Sequence, residues 1–207
     1  MDVTVIDHPL AKVNLSRLRD AATGNAGFRS ALQDLTVMLV YEAARDLPVC
    51  TEPVRTPLGH ADGHRLAVEP VLVPVLRAGL GMAECALRML PQARMGFVGL
   101  ARDEETLLPE PYMTALPDEL AGQPVLVLDP MLATGGSMVH TVRLLAERGT
   151  TEIVAVCGLV APEGLDRLRD AGLPVRVVTA CVDERLNDSG FIVPGLGDAG
   201  DRQFGPT

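Results

Sequence analysis

Apolar positions along this chain fall into two alternating patterns, short continuous runs and helical stripes. Val71 to Leu76, Arg94 to Leu100, Val125 to Leu128, Glu152 to Val160 and Leu173 to Cys181 hold the runs. Runs of this length and composition predict strands of a parallel sheet buried on both faces. Met82 to Leu90, Met138 to Arg148 and Pro162 to Ala171 read as the helices between them, the last begun by a proline suited to a first turn. Strand and helix alternate at the lengths of right-handed βαβ crossovers. The prediction is an α/β fold, a doubly wound central parallel sheet flanked by helices.

The flanking segments follow other patterns. Asn14 to Thr23 reads as a short helix with Asn14 or Ser16 as cap. Phe28, Leu32, Leu35, Leu39 and Ala43 recur at helical spacing and predict an amphipathic helix to about Asp46. Arg29 and Asp34 lie off that stripe and read as solvated charges. Leu47 to Arg65 carries three prolines and two glycines, which predicts extended chain with a hairpin or loop. Within it, His60 and His64 have ligand spacing but no adjacent Glu or third ligand, so a solvated turn is the reading. Asp103 to Gln123 has no periodicity and predicts a mobile arm, of a length more often used to close over a ligand than to fill space. Asp183 to Thr207 is rich in glycine and turn residues and reads as irregular.

Composition narrows the classes. A chain of 207 residues predicts one domain with ample core. Its 18 basic and 27 acidic residues leave a net charge of −9, which argues against nucleic acid or an anionic membrane as partner. Lys12 is the single lysine, so Schiff-base and phosphate-loop lysine chemistry is closed and positive charge must come from arginine. The four cysteines form no C-x-x-C pair, and Cys85 and Cys157 lie in apolar segments as small buried hydrophobes. No apolar run approaches the ~18 residues of a membrane span, and no signal peptide is evident. These features predict a soluble, reduced, cytoplasmic protein.

Candidate chemistry centres on P-V-L-V-L-D-P-M-L-A-T-G-G-S, residues 124–137. Asp129 ends a buried strand at the edge where open α/β sheets bind ligands. Its carboxylate suits a ribose diol and a positive charge developing on a sugar ring; the alternative is a cap for the following turn. Thr134 to Ser137 can expose N–H groups at a helix N-terminus, which suits phosphate. Arg77 sits at another strand's carboxyl end before Ala78-Gly79, and Arg102 has a similar place. Either can cap a helix, and an anion contact fits the forked guanidinium better. Asp103-Glu104-Glu105 reads as a solvated face. Gly195 to Gly200 satisfies G-x-G-x-x-G, but seven residues remain after it, too few for a dinucleotide fold. The apolar Phe191-Ile192-Val193-Pro194 before it predicts an ordered loop that approaches a flat polar ligand.

The 124–137 segment resembles the phosphoribosyl-diphosphate motif of type I phosphoribosyltransferases, and Pro130 in place of a second acid is the pattern of the uracil phosphoribosyltransferases. H-P-L (8–10), Y-E-A-A-R-D-L-P (41–48), V-P-V-L-R-A-G-L-G-M (73–82) and F-I-V-P-G-L-G-D-A-G-D-R-Q-F-G (191–205) resemble the same family. The resemblance spans nearly the whole chain as one domain, with residues 1–48 as an N-terminal helical extension and 183–207 as a C-terminal base-binding hood. It implies that uracil and 5-phospho-α-D-ribose 1-diphosphate (PRPP) give UMP and diphosphate in pyrimidine salvage. Arg77 and Arg102 would hold the diphosphate. Asp129, Pro130, Met131, Leu132, Ala133, Thr134, Gly135, Gly136 and Ser137 would bind the ribose and its phosphate. Ile192, Gly197, Asp198 and Ala199 would read uracil, with Asp198 also near the donor ribose. Asp129, Arg77 and Asp198 are the implied catalytic set, with Mg2+ carried by the diphosphate. A homodimer or larger assembly and a GTP effector are implied as well. Two positions depart from the family pattern: Ala101 replaces a usual tyrosine, which bears on the diphosphate arm, and Val13-Asn14 replaces a more basic stretch, which bears on GTP. Rival readings are an orotate or purine transferase and a non-catalytic sensor that binds PRPP or a uridine nucleotide and regulates RNA or a protein partner.

Overall fold

Two-sided burial organises the chain. The computed structural model describes residues 1–102 and 109–206. β1 (Val3–Val5) leads into α1 (Pro9–Arg19) and α2 (Asn25–Ala43), and β2 (Val49–Arg55) pairs with β3 (His60–Leu66) in an antiparallel hairpin. β4 (Val71–Leu76), α3 (Leu80–Met89), β5 (Arg94–Met95), β6 (Phe97–Arg102) and β7 (Pro109–Ala115) follow. Next come β8 (Val125–Leu128), β9 (Met131–Leu132), α4 (Gly136–Ala146), β10 (Ile153–Cys157), β11 (Leu159–Val160), α5 (Pro162–Asp170) and β12 (Val175–Thr179). β13 (Arg185–Leu186), β14 (Ile192–Val193) and α6 (Ala199–Phe204) end the chain.

The main sheet runs β1-β12-β10-β8-β4-β6-β7 with β5 beside β4, and only the β6–β7 pair is antiparallel. Alternate strand residues supply two cores, as the pleat requires. Leu72, Leu126, Leu128, Val154, Val156 and Val178 pack with α1, α2 and α3. Val71, Val73, Val125, Val127, Ile153, Ala155, Val175 and Val177 pack with α4 and α5. From β4 the chain steps through α3 to β6 on one side. It returns to β8 on the other side of β4 and steps outward to β10 and β12. The order therefore reverses between β4 and β8, and their carboxyl ends form the crevice such sheets use for ligands. This is the doubly wound parallel sheet that the apolar runs predict.

Several elements depart from the prediction for physical reasons. α1 starts at Pro9, whose fixed φ suits a first turn, and His8 is its cap, accepting the Leu10 N–H at 3.2 Å. Asn14 and Ser16 are inside that helix and bond back to the Leu10 and Lys12 carbonyls. The Asp103–Gln123 arm holds β7, an edge strand where Pro109 and Pro111 cost no central ladder bond; residues 103–108, with Asp103-Glu104-Glu105, lie outside the described residues. The irregular C-terminus contains α6, capped by Asp198, whose side chain accepts the Asp201 N–H at 2.9 Å. β1 is an added edge strand three residues long, too short to register as a period. Arg29 donates to the Gln203 carbonyl and is half-buried, so it is structural. His60 and His64 are exposed on β3, in a strand where a turn is predicted. Among the described residues no helix is long and apolar enough to cross a membrane.

Candidate active site

The loop after β8 is fixed by its neighbours. The Pro130 carbonyl accepts the Gly158 N–H at 2.9 Å, β9 pairs with β11, and the Leu132 carbonyl accepts the Ala161 N–H at 2.9 Å. Gly135 then turns the chain into α4 at φ +78°, and a Cβ there would lie 2.9 Å from the Gly164 carbonyl oxygen. Both the angle and the approach require glycine. No side chain caps α4. Helix geometry leaves the N–H groups of Gly136, Ser137 and Met138 without intrahelical acceptors, a ready anion site.

A cavity of about 630 Å³ opens beside this loop. Of the residues singled out in the sequence, Arg77, Asp129, Met131, Ala133, Ser137, Ile192, Gly197, Asp198 and Ala199 line it. Pro130, Leu132, Thr134, Gly135 and Gly136 do not line it. Pro130 and Leu132 are buried and shape the loop through their carbonyls. Arg102 ends β6, and its side chain lies outside the described residues. Tyr112 and Ala101 form another wall. The Tyr112 ring occupies the space over Gly99, where a Cβ would meet it at 2.5 Å, so β7 supplies an aromatic group beside the small Ala101.

Asp129 lies on the cavity wall with strongly perturbed chemistry. Its side chain keeps access to the cavity yet is enclosed by protein on nearly every side. That burial raises its carboxyl to about 7, against a weak lowering by the Met131 N–H at 3.5 Å; the charge of Asp198 raises it further. The Met131 contact is the turn-capping alternative. At 3.5 Å it is a long, weak bond.

Across the cavity, Arg77 pairs with Asp201 at 3.3 Å, both side chains 43% exposed. Asp201 escaped the sequence reading, as did Tyr112. Asp198 and Asp201 stand at the D-x-x-D spacing of a helix cap and its first turn, and that signal could have located α6. Among the described residues no three His, Cys, Asp or Glu side chains group around a metal position. Asp129 and Asp198 are the hard oxygen donors on the cavity wall.

A family model described as Uracil phosphoribosyltransferase matches residues 5–206. The chain is 56% identical over 206 residues to a protein of Corynebacterium diphtheriae named uracil phosphoribosyltransferase, covering 100% of this chain and 98% of that one. A Corynebacterium glutamicum protein of the same name is 55% identical over the same coverage. The solved structure of the AQ2163 protein from Aquifex aeolicus superposes with a TM-score of 0.93 at 41% identity, over 99% of each chain. The APRTase of Giardia lamblia superposes at 0.53 with 15% identity, over 75% of this chain and 81% of that one, and shares the fold alone.

The raised carboxyl has a consequence for stability. Ionising Asp129 costs the folded state and not the unfolded one, so stability falls as pH rises from about 4 to about 7. The loss amounts to about 4 kcal/mol at most. Asp129→Asn removes this slope, which denaturant melts of ligand-free protein across that pH range will measure; parallel slopes in both proteins would refute it.

Proposed function

Because the chain belongs to the uracil phosphoribosyltransferase family, we propose that it joins uracil to the phosphoribosyl group of PRPP, releasing UMP and diphosphate. The observation that carries this reading is one cavity with three kinds of wall: the Asp129 loop, Arg77, and the Ile192–Ala199 segment. In this assignment the 5′-phosphate meets the N-terminus of α4, and the diphosphate meets Arg77 and Arg102. Uracil lies against Ile192 and Gly197–Ala199.

The bond from the anomeric carbon to diphosphate breaks as a uracil nitrogen bonds to that carbon and loses its proton, with inversion. Asp129, as a carboxylate, opposes the positive charge developing on the ribose. In a dry site that interaction is far stronger than in water. Arg77 touches Asp201 through Nη2 alone, which leaves its other N–H groups for the diphosphate. An exposed pair of that kind holds by about 1 kcal/mol or less, so a multiply charged ligand displaces it. Mg2+ fits the donor set, since it keeps phosphate oxygens and water and takes one or two carboxylates. When bound, it neutralises charge on the departing diphosphate.

The same reading places the protein in the cytoplasm, treats residues 1–207 as one catalytic domain and makes it a homo-oligomer. A two-stranded hairpin is marginal alone, yet β2–β3 carries Val49, Val54 and a fully exposed Leu58. A second copy would cover them. GTP enters as an effector, with Lys12 and Arg17 the cations beside Val13 and Asn14 on α1.

A base panel with PRPP and Mg2+, with and without GTP, tests the reading. Uracil should yield UMP and diphosphate, whereas turnover of orotate or a purine but not uracil would sink it. In the same assay Arg77→Ala should raise the KM for PRPP at least tenfold, about 1.4 kcal/mol, with the melting temperature little changed. Sedimentation of the full chain should give a dimer or larger species, and Val54→Glu with Leu58→Glu should shift it toward monomer; a monomeric wild type would refute the assembly.

A further inference from the structure

The base-facing loop is gripped from outside the cavity. Gly195 has φ +62°, and a Cβ there would lie 2.1 Å from the Ile192 carbonyl oxygen, so only glycine fits. Both of its backbone groups are engaged by one ion pair. Its N–H donates to Asp183 Oδ2 at 2.9 Å, and its carbonyl accepts from Arg19 at 3.0 Å. Arg19 also closes a fork on Asp183, donating to Oδ2 at 2.9 Å and pairing with Oδ1. The Asp183 side chain is 2% exposed and that of Arg19 24%. Burial pushes the Asp183 carboxyl up, and Arg19, the Gly195 N–H and Cys181 together outweigh it and keep it below its ordinary value.

A second arginine holds the far side of the loop. Arg202 donates to Leu196 at 3.0 Å, Asp20 at 2.6 Å and Thr23 at 3.1 Å, and also to Leu18, all at carbonyls. Its guanidinium lies 4.6 Å from the centre of the Phe28 ring. The carboxyl end of α1 and the turn after it are thus tied to the loop. Among the described residues none of α1 lines the cavity, and this helix meets the loop through that grip and through the core that Leu15 and Leu18 share with Ile192 and Leu196.

We propose that Arg19 and Asp183 are positioning residues for base recognition: their ion pair fixes Gly195 and so sets Ile192 and Gly197–Ala199 against the base. This deepens the functional reading above and rests on it. A forked pair that holds both the N–H and the carbonyl of one residue fixes the two peptide planes that flank it, and so its φ and ψ, which a single contact would leave free.

A merely structural pair would lower stability without separating the two substrates. Arg19→Ala alone strands a buried carboxylate and risks unfolding, so two other variants carry the test. Arg19→Lys keeps the charge and loses the fork. Arg19→Met with Asp183→Leu removes both charges and leaves apolar volume. With wild type and variants assayed at saturating second substrate, the double variant should raise the KM for uracil about tenfold, and Arg19→Lys by a smaller factor. The KM for PRPP should stay within twofold in both. Equal rises in the two KM values, an unchanged uracil KM, or a fall in kcat alone would overturn the proposal. Should the wild type turn over a base other than uracil, the functional reading fails, and the same split is then read on that base.

Discussion

The constraint on which the rest depends is the complete burial of β8. Val125 to Leu128 lie between β4 and β10 and face a core on each side, so the strand has no wet surface along its length. At ~1.5–3 kcal/mol for each aliphatic side chain, the four supply roughly 6–12 kcal/mol. That exceeds the few kcal/mol of holding a carboxyl group in a dry setting. The strand can therefore deliver Asp129 to the carboxyl edge of the sheet, where only the cavity side is open. The burial that makes ionisation costly would also make the ionised group effective against a cationic sugar in the proposed reaction.

Around that strand, contacts from both chain termini brace the site. Arg29 on α2 reaches the Gln203 carbonyl, and Gln203 donates to Ala78 at 3.0 Å and to Ala199 at 2.8 Å. α6 is thereby joined to the turn that follows Arg77. Most of these bonds end on backbone carbonyls, which lack alternative rotamers, so the ties are stiff for their number. A chain with a single lysine suits this arrangement, because the planar guanidinium can serve two or three acceptors at once.

The central sheet was legible because two-sided burial writes itself as apolar runs, and the turn into α4 because Asp129 ends one such run and Gly135-Gly136 come shortly after it. Other parts were hidden for specific reasons. β7 carries two prolines, which argue against a strand unless its edge position is known. α6 has six residues, too few for a hydrophobic period. Pro9 marks the start of α1, while Asn14 and Ser16, side chains equally suited to capping, bond inside the helix instead. Tyr112 reaches the cavity, and Asp201 reaches Arg77, through tertiary pairing alone: one through the β6–β7 register, the other through α6. Arg19 and Asp183 are 164 residues apart, and no local pattern links them.

A protein of net charge −9 that binds a polyanion needs its positive groups sorted, and burial does the sorting. Distant like charges are screened beyond about 8–10 Å in ordinary salt, so only the nearest groups decide. Two arginines near the base-facing segment each hold an aspartate, yet they play opposite parts. The Arg19 pair is sheltered, satisfied on every side and bound to a peptide, so breaking it would leave a charge in a dry place. The Arg77 pair is a single 3.3 Å contact with both partners open to water, so exchanging Asp201 for a phosphate oxygen costs little. Asp201 keeps Arg77 directed at the cavity mouth without competing strongly for it. In the proposed reaction exposure, more than residue type, thus separates the arginine that would build the site from the one that would serve the ligand.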